Sequence, residues 1–176
     1  MEFPVLCFGR DQTIDTNPPV EGLAIPLYWV QYYAHYTDHH VWATGNQQLQ
    51  IEAGIPTPYE AREILIQKGH PISSPPGGGE NYRYDRLNII HRLYNEIFES
   101  PSFVVVDNSD LVNIGNMKQW KHYEPEKFLR GVEDETIDLP RPEESIADGE
   151  PYQNTNKYGT YDEILGRIDR MLHEAE

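Results

Sequence analysis

Pro4-Val5-Leu6-Cys7-Phe8-Gly9-Arg10-Asp11-Gln12-Thr13-Ile14-Asp15 decides how the chain is read. A short apolar run stops abruptly at Gly9 and is followed by a carboxylate and a hydroxyl. A buried strand of a parallel sheet has this form, because both of its faces are covered and no polar alternation is needed. Its C-terminal end would deliver Asp11 and Thr13 to the sheet edge where open α/β sheets bind ligands. The same grammar recurs in His39-His40-Val41-Trp42-Ala43-Thr44-Gly45-Asn46 and in Phe103-Val104-Val105-Val106-Asp107-Asn108-Ser109-Asp110.

Between these runs the pattern changes to helical. Apolar residues from Ile25 to Tyr36 fit a helix packed over a sheet. Asn46 to Glu52 and Pro58 to Gln67 read as two short helices. From Arg83 to Glu99, Leu87, Ile90, Leu93, Tyr94 and Ile97 mark an amphipathic one. Trp120 to Tyr123 reads as a fourth, short strand and Pro125 to Val132 as a closing helix. Alternating strands and helices predict a doubly wound parallel α/β sheet over residues 1–134. Residues 69–81 are dense in Pro, Ser and Gly and read as a loop; Gly77-Gly78-Gly79 has neither a preceding strand nor a GK[ST] ending, so it is not read as a phosphate cradle.

After Asp134 the composition shifts. Residues 135–159 read as an acidic, Pro-rich linker. Thr160-Tyr161-Asp162-Glu163 then fits a capping box. Ile164, Leu165, Ile168, Met171 and Leu172 follow on one face of a C-terminal helix over 160–176. That helix either folds back on its own domain or serves a protein partner or self-association through 160–175.

The 176 residues suffice for one domain with a core and are too few for two of ordinary size. The formal charge is −15, with acidic residues scattered rather than gathered. A bare nucleic-acid backbone is therefore an unsuitable partner. Spread acidity, with Arg outnumbering Lys, points to a halophilic protein. The single cysteine, Cys7, excludes an internal disulfide and reads as a small buried hydrophobe. No leader and no membrane-length apolar run is visible, so the expected address is the cytoplasm, without membrane contact.

The strand ends resemble those of the haloacid dehalogenase-like (HAD) superfamily, most of whose members are magnesium-dependent phosphohydrolases. Its first motif, Asp-x-Asp-x-Thr after a hydrophobic strand, aligns with Gly9-Arg10-Asp11-Gln12-Thr13. The resemblance implies Asp11 as the acid that protonates the leaving group and Thr13 as the residue that holds the loop. The first Asp, the family's nucleophile, is replaced by Gly9. Thr44 matches the second motif, and with Gly45 and Asn46 it would hold phosphate oxygens. Arg86, with Arg83 behind it, is the candidate for the single cation of the third motif. Asp107 and Asp110 match the acidic pair of the fourth, with Asn108 where many members carry a second Asp. The implied cofactor is Mg²⁺, held by Asp11, Asp107 and Asp110 and weakened by the loss of a carboxylate at residue 9, since the hard ion prefers such oxygens. Asp15 lies too far round the loop to replace that carboxylate, and Arg10 should point to the opposite side of an extended segment.

The implied activity is phosphomonoester hydrolysis, weakened by Gly9. The alternative is a catalytically silent HAD-like domain that binds a phosphorylated ligand or a protein partner. Residues 47–82 leave room for at most a lid, which suits a large phosphorylated substrate. A receiver-like module fits less well, because Lys118 is poorly placed. A transition-metal site at His35 and His39 would need one helix to run through both.

Overall fold

The computed structural model describes residues 4–37, 39–45, 47–69, 79–97, 102–108 and 120–142. Asn46, Gly77, Gly78, Asp110, Lys118, most of the 135–159 segment and the 160–176 helix lie outside them. Among the described residues four parallel strands form one sheet: β1 (Val5–Phe8), β2 (Val41–Ala43), β3 (Phe103–Val106) and β4 (Trp120–Tyr123), in the order β2-β1-β3-β4. Their registers pair Phe8 with Ala43 on one side and with Val106 on the other, and Val106 in turn with Tyr123. The polar residues that follow the strands therefore emerge level with one another.

Alternation along each strand divides the core in two. Val5, Cys7, Trp42, Phe103, Val105 and Trp120 face one side, with Ala61, Ile64 and Leu65 of α3 (Pro58–Gln67) and Leu87, Ile90, Leu93 and Tyr94 of α4 (Gly79–Ile97). Leu6, Phe8, Val41, Ala43, Val104 and Val106 face the other. There they meet α1 (Leu27–Tyr36), α2 (Gln47–Ala53) and α5 (Pro125–Glu133). Helices on both faces of a four-stranded parallel sheet make an α/β architecture consistent with a Rossmann-like fold. No helix among the described residues is long and apolar enough to cross a membrane.

The strand order locates the switch. The chain goes from β1 to its neighbour β2, then crosses back over β1 to reach β3. In open α/β sheets ligands bind at the carboxyl ends of the strands on the two sides of such a switch. Gly9 and Asp107 stand at that switch.

Several boundaries differ from the sequence reading, each for a local reason. Ile25 does not begin α1; it forms a parallel bridge with Ile14, which sends the helix start to Leu27. The α4 helix begins at Gly79, inside the stretch expected to be loop, because Glu80 and Asn81 continue it N-terminally. Of the stretch 47–82, segment 47–67 packs against the sheet. Its two helices are built into opposite layers, joined by a linker whose Pro56 carbonyl accepts from Ala43 N at 2.8 Å and covers the outer edge of β2. The α3 start is fixed by a capping box in which Thr57 and Glu60 cap one another's backbone, and Gln50 of α2 donates to the same Glu60 carboxylate.

Packing also continues past Asp134. Ile137 and Leu139 lie against the α5 side of the core, and Tyr33 Oη donates to the Pro140 carbonyl at 2.7 Å. Residues 136–142 thus belong to the packed unit rather than to a free linker.

Candidate site at the carboxyl edge

The loop after β1 is a tight turn rather than an extended segment. Thr13 N and Ile14 N both donate to the Arg10 carbonyl, at 3.2 and 3.0 Å, and Gln12 adopts a left-handed φ of 55°. This winding buries Thr13 and leaves Asp11 outside. Thr13 Oγ1 donates to the Asp11 carbonyl at 3.3 Å and accepts from Asn108 N at 3.3 Å, so one hydroxyl ties the β1 loop to the β3 loop. Above it, Asn108 Nδ2 donates to Gln12 Oε1 at 3.4 Å.

Asp107 is buried, only 1% exposed. Its carboxylate lies over Gly9: a Cβ at residue 9 would overlap Asp107 Oδ2 and stand 2.9 Å from Cγ and 3.4 Å from Thr13 Oγ1. Gly9 is not required here by an unusual backbone angle. It is required by the close approach of a neighbouring strand's side chain. Thr44 Oγ1 donates to the same Asp107 Oδ2 at 3.5 Å, a long contact that brings the ends of β2 and β3 together across β1. Arg86 of α4 packs on Gly45, where an added Cβ would overlap the guanidinium and lie 2.8 Å from Cδ; the Gly45 φ of 152° also disfavours a side chain. Asp107, Thr44, Gly45 and Arg86 therefore follow one another across the edge, from the switch point outward.

Asp11, Arg10 and Asp15 are engaged elsewhere. Asp11 is about half exposed, 54%, and its Oδ1 accepts from Arg10 Nη1 at 3.1 Å and Asn17 Nδ2 at 2.9 Å, both on its own loop. Arg10 turns to α2, where Nε donates to Glu52 Oε1 at 2.8 Å; that hydrogen bond is the main reason its guanidinium pKa is raised. Asp15 has an assignment that local sequence does not show. Its Oδ1 accepts from Leu27 N at 3.2 Å and caps α1 across the intervening loop, in place of Pro26, which has no capping side chain.

For Mg²⁺ the described residues supply one buried carboxylate, Asp107, at the switch point. Among them no group of three His, Cys, Asp or Glu side chains is placed to hold an ion. A hard dication takes several oxygen ligands, and of the residues proposed for it Asp107 is the one that the described residues place at the switch point. The histidine pair is also apart in role: His35 Nε2 is bonded to the Ala53 carbonyl at 2.6 Å and His39 Nδ1 to the Pro4 carbonyl at 3.0 Å, both structural positions.

Sequence reasoning passed over a cleft beside this edge. A cavity of about 340 Å³ is lined, among the described residues, by Pro19, Val20, Glu21 and Leu23 of the 15–24 loop, by Glu124, Pro125 and Glu126 at the start of α5, and by Gln12 and Asn108 of the loops beside Gly9 and Asp107. The only available signal was Asn17-Pro18-Pro19, which reads as a turn and says nothing of what that turn faces. No family model, curated protein or solved structure matches the chain.

Proposed function

We propose that the chain is a doubly wound HAD-like domain that recognises a phosphorylated ligand and has lost covalent phosphoryl transfer. The observation that carries this reading is at residue 9. An aspartyl-phosphate needs a carboxylate at the end of β1; this chain has Gly9 there, with the Asp107 carboxylate folded over it. Asp11, the implied acid, has its carboxylate engaged by Arg10 and Asn17. The group best suited to phosphate is the Arg86 guanidinium on Gly45, whose planar donors match phosphate oxygens, with Thr44 next to Gly45 in sequence.

Calorimetric titration with phenyl phosphate tests the reading. Wild type should bind and Arg86→Ala should bind at least about tenfold more weakly, the loss expected for one charge-assisted contact. Absence of binding, or equal binding by both proteins, overturns it.

A weakened Mg²⁺-dependent phosphohydrolase is the second reading, favoured by the buried Asp107 carboxylate beside Thr44. It requires turnover of a phosphomonoester that depends on Mg²⁺ and disappears in Asp107→Asn. The first reading requires that wild type and Asp107→Asn be equally inactive.

A further inference from the structure

The 340 Å³ cleft is the size of a small-ligand site, and its lining is selective in two ways. Val20, 89% exposed, is the most exposed of the large apolar side chains among the described residues, and Leu23 beside it is 46% exposed. Together with Pro19 and Pro125 they give the cleft an apolar surface. Among the described residues the titratable side chains of its lining are Glu21, Glu124 and Glu126. Glu126 is partly answered by Arg130, whose Nη2 meets Oε1 at 2.9 Å, and Glu124 and Glu126 both suit the first turn of α5. Neither reason applies to Glu21, which belongs to the 15–24 loop. That loop meets the start of α5 here, since a Cβ on Gly22 would stand 2.9 Å from Glu126 Oε2, so the lining combines carboxylates of both segments with apolar surface.

We propose that this cleft binds an organic cation with an apolar body, of the alkylammonium class. The ammonium head meets the Glu21 and Glu124 carboxylates, while the alkyl chain covers Val20, Leu23 and the prolines. Gln12 and Asn108 of the lining, hydrogen-bonded to each other, adjoin Thr13 and Asp107 in sequence. If the neighbouring edge holds phosphate, the full ligand is a phosphate ester whose remote end carries an amine. That extension rests on the proposed function, whereas the cation site does not.

Two-dimensional NMR of the full-length protein, titrated with hexylammonium chloride at constant ionic strength, tests the site without phosphate. Amide shifts should concentrate at Gln12, Val20, Leu23, Asn108 and Glu126. Hexanol should bind more weakly. Glu21→Gln/Glu124→Gln, both at exposed positions and with fold verified by the same spectra, should weaken hexylammonium about tenfold. Equal binding of hexanol, shifts spread over acidic residues throughout the surface, no shifts at millimolar ligand, or an unchanged affinity in the double variant would each overturn the proposal. Hexylammonium binding in a protein that ignores phenyl phosphate would uphold the cleft and remove the phosphate reading next to it.

Discussion

The Asp107 carboxylate occupies the space into which a side chain at Gly9 would grow, with Cγ 2.9 Å from the position of a Cβ there. The two residues are neighbours across β1 and β3, and the smallness of one allows the placement of the other. Gly9→Ala should destabilise the protein by about 1–3 kcal/mol through overpacking. In Gly9→Ala/Asp107→Ala the loss should be less than the sum of the single changes. Urea denaturation of the four proteins measures the coupling, and strict additivity would show that the contact carries no energy.

Gly45 is constrained twice, by its φ of 152° and by the Arg86 guanidinium above it. Gly45→Ala is expected to cost about 1–3 kcal/mol and to lower phenyl phosphate affinity by displacing Arg86. If affinity were unchanged while stability fell, Arg86 would not be part of the anion site.

Burial pushes the Cys7 thiol and the Tyr33 and Tyr94 hydroxyls well above their ordinary pKa values. These are acids held neutral in the fold, so the unfolded chain loses their protons first and stability falls as pH rises. The decline should begin near pH 8.5, where an unfolded thiol ionises, and steepen near pH 10 with the tyrosines. Each group should contribute a slope of about 1.4 kcal/mol per pH unit once ionised only in the unfolded state. Denaturation midpoints from pH 7 to 11 check this, and Cys7→Ala should remove the first phase. Alkylation of Cys7 should likewise require unfolding.

Removal of residues 135–176 should destabilise the protein by about 2–4 kcal/mol more than removal of 143–176. The shorter chain loses the partly buried Ile137 and Leu139 and the Tyr33 to Pro140 hydrogen bond. Thermal melts of the two truncated chains are the measurement, and equal melting would mean that the 136–142 packing adds nothing.

With a net charge of −15, self-repulsion opposes compaction, and its range shrinks from about 10 Å at 0.1 M salt to about 3 Å at 1 M. The melting temperature is expected to climb with KCl over that interval. A flat response would leave the acidity as an ordinary surface property.

Strands were the most legible part of the sequence, because Val5 to Phe8 and Phe103 to Val106 are apolar on both faces and only a buried strand uses such a run. The α3 helix was legible for a related reason, since Pro58 marks its first turn and Ala61, Ile64 and Leu65 its inner face. The start of α4 was hidden by Gly79, whose low propensity argues for loop while the continuing helix overrides it. The site was legible only by residue type. That Thr13, Thr44, Asp107 and Arg86 gather at one edge follows from strand order and register. That Asp11 turns outward follows from the Gln12 backbone and from Asn17, and Asp15 caps a helix start twelve residues on. These are contacts between separate segments, which no local pattern encodes.

The bridge between Ile14 and Ile25 has a consequence for how the molecule can vary. Asp15 N donates to the Ile25 carbonyl and Ile25 N to the Thr13 carbonyl, so the excursion over 15–24 begins and ends at one clasp. A loop whose ends are held together can change length at small entropic cost. Its stem is anchored in the core by two isoleucines, and its tip carries Val20. The tip of the segment, residues 18–24, is therefore exchangeable: this part of the cleft lining can be rewritten while Asp15 keeps its cap on α1, Asn17 its bond to Asp11, and the sheet stays as it is.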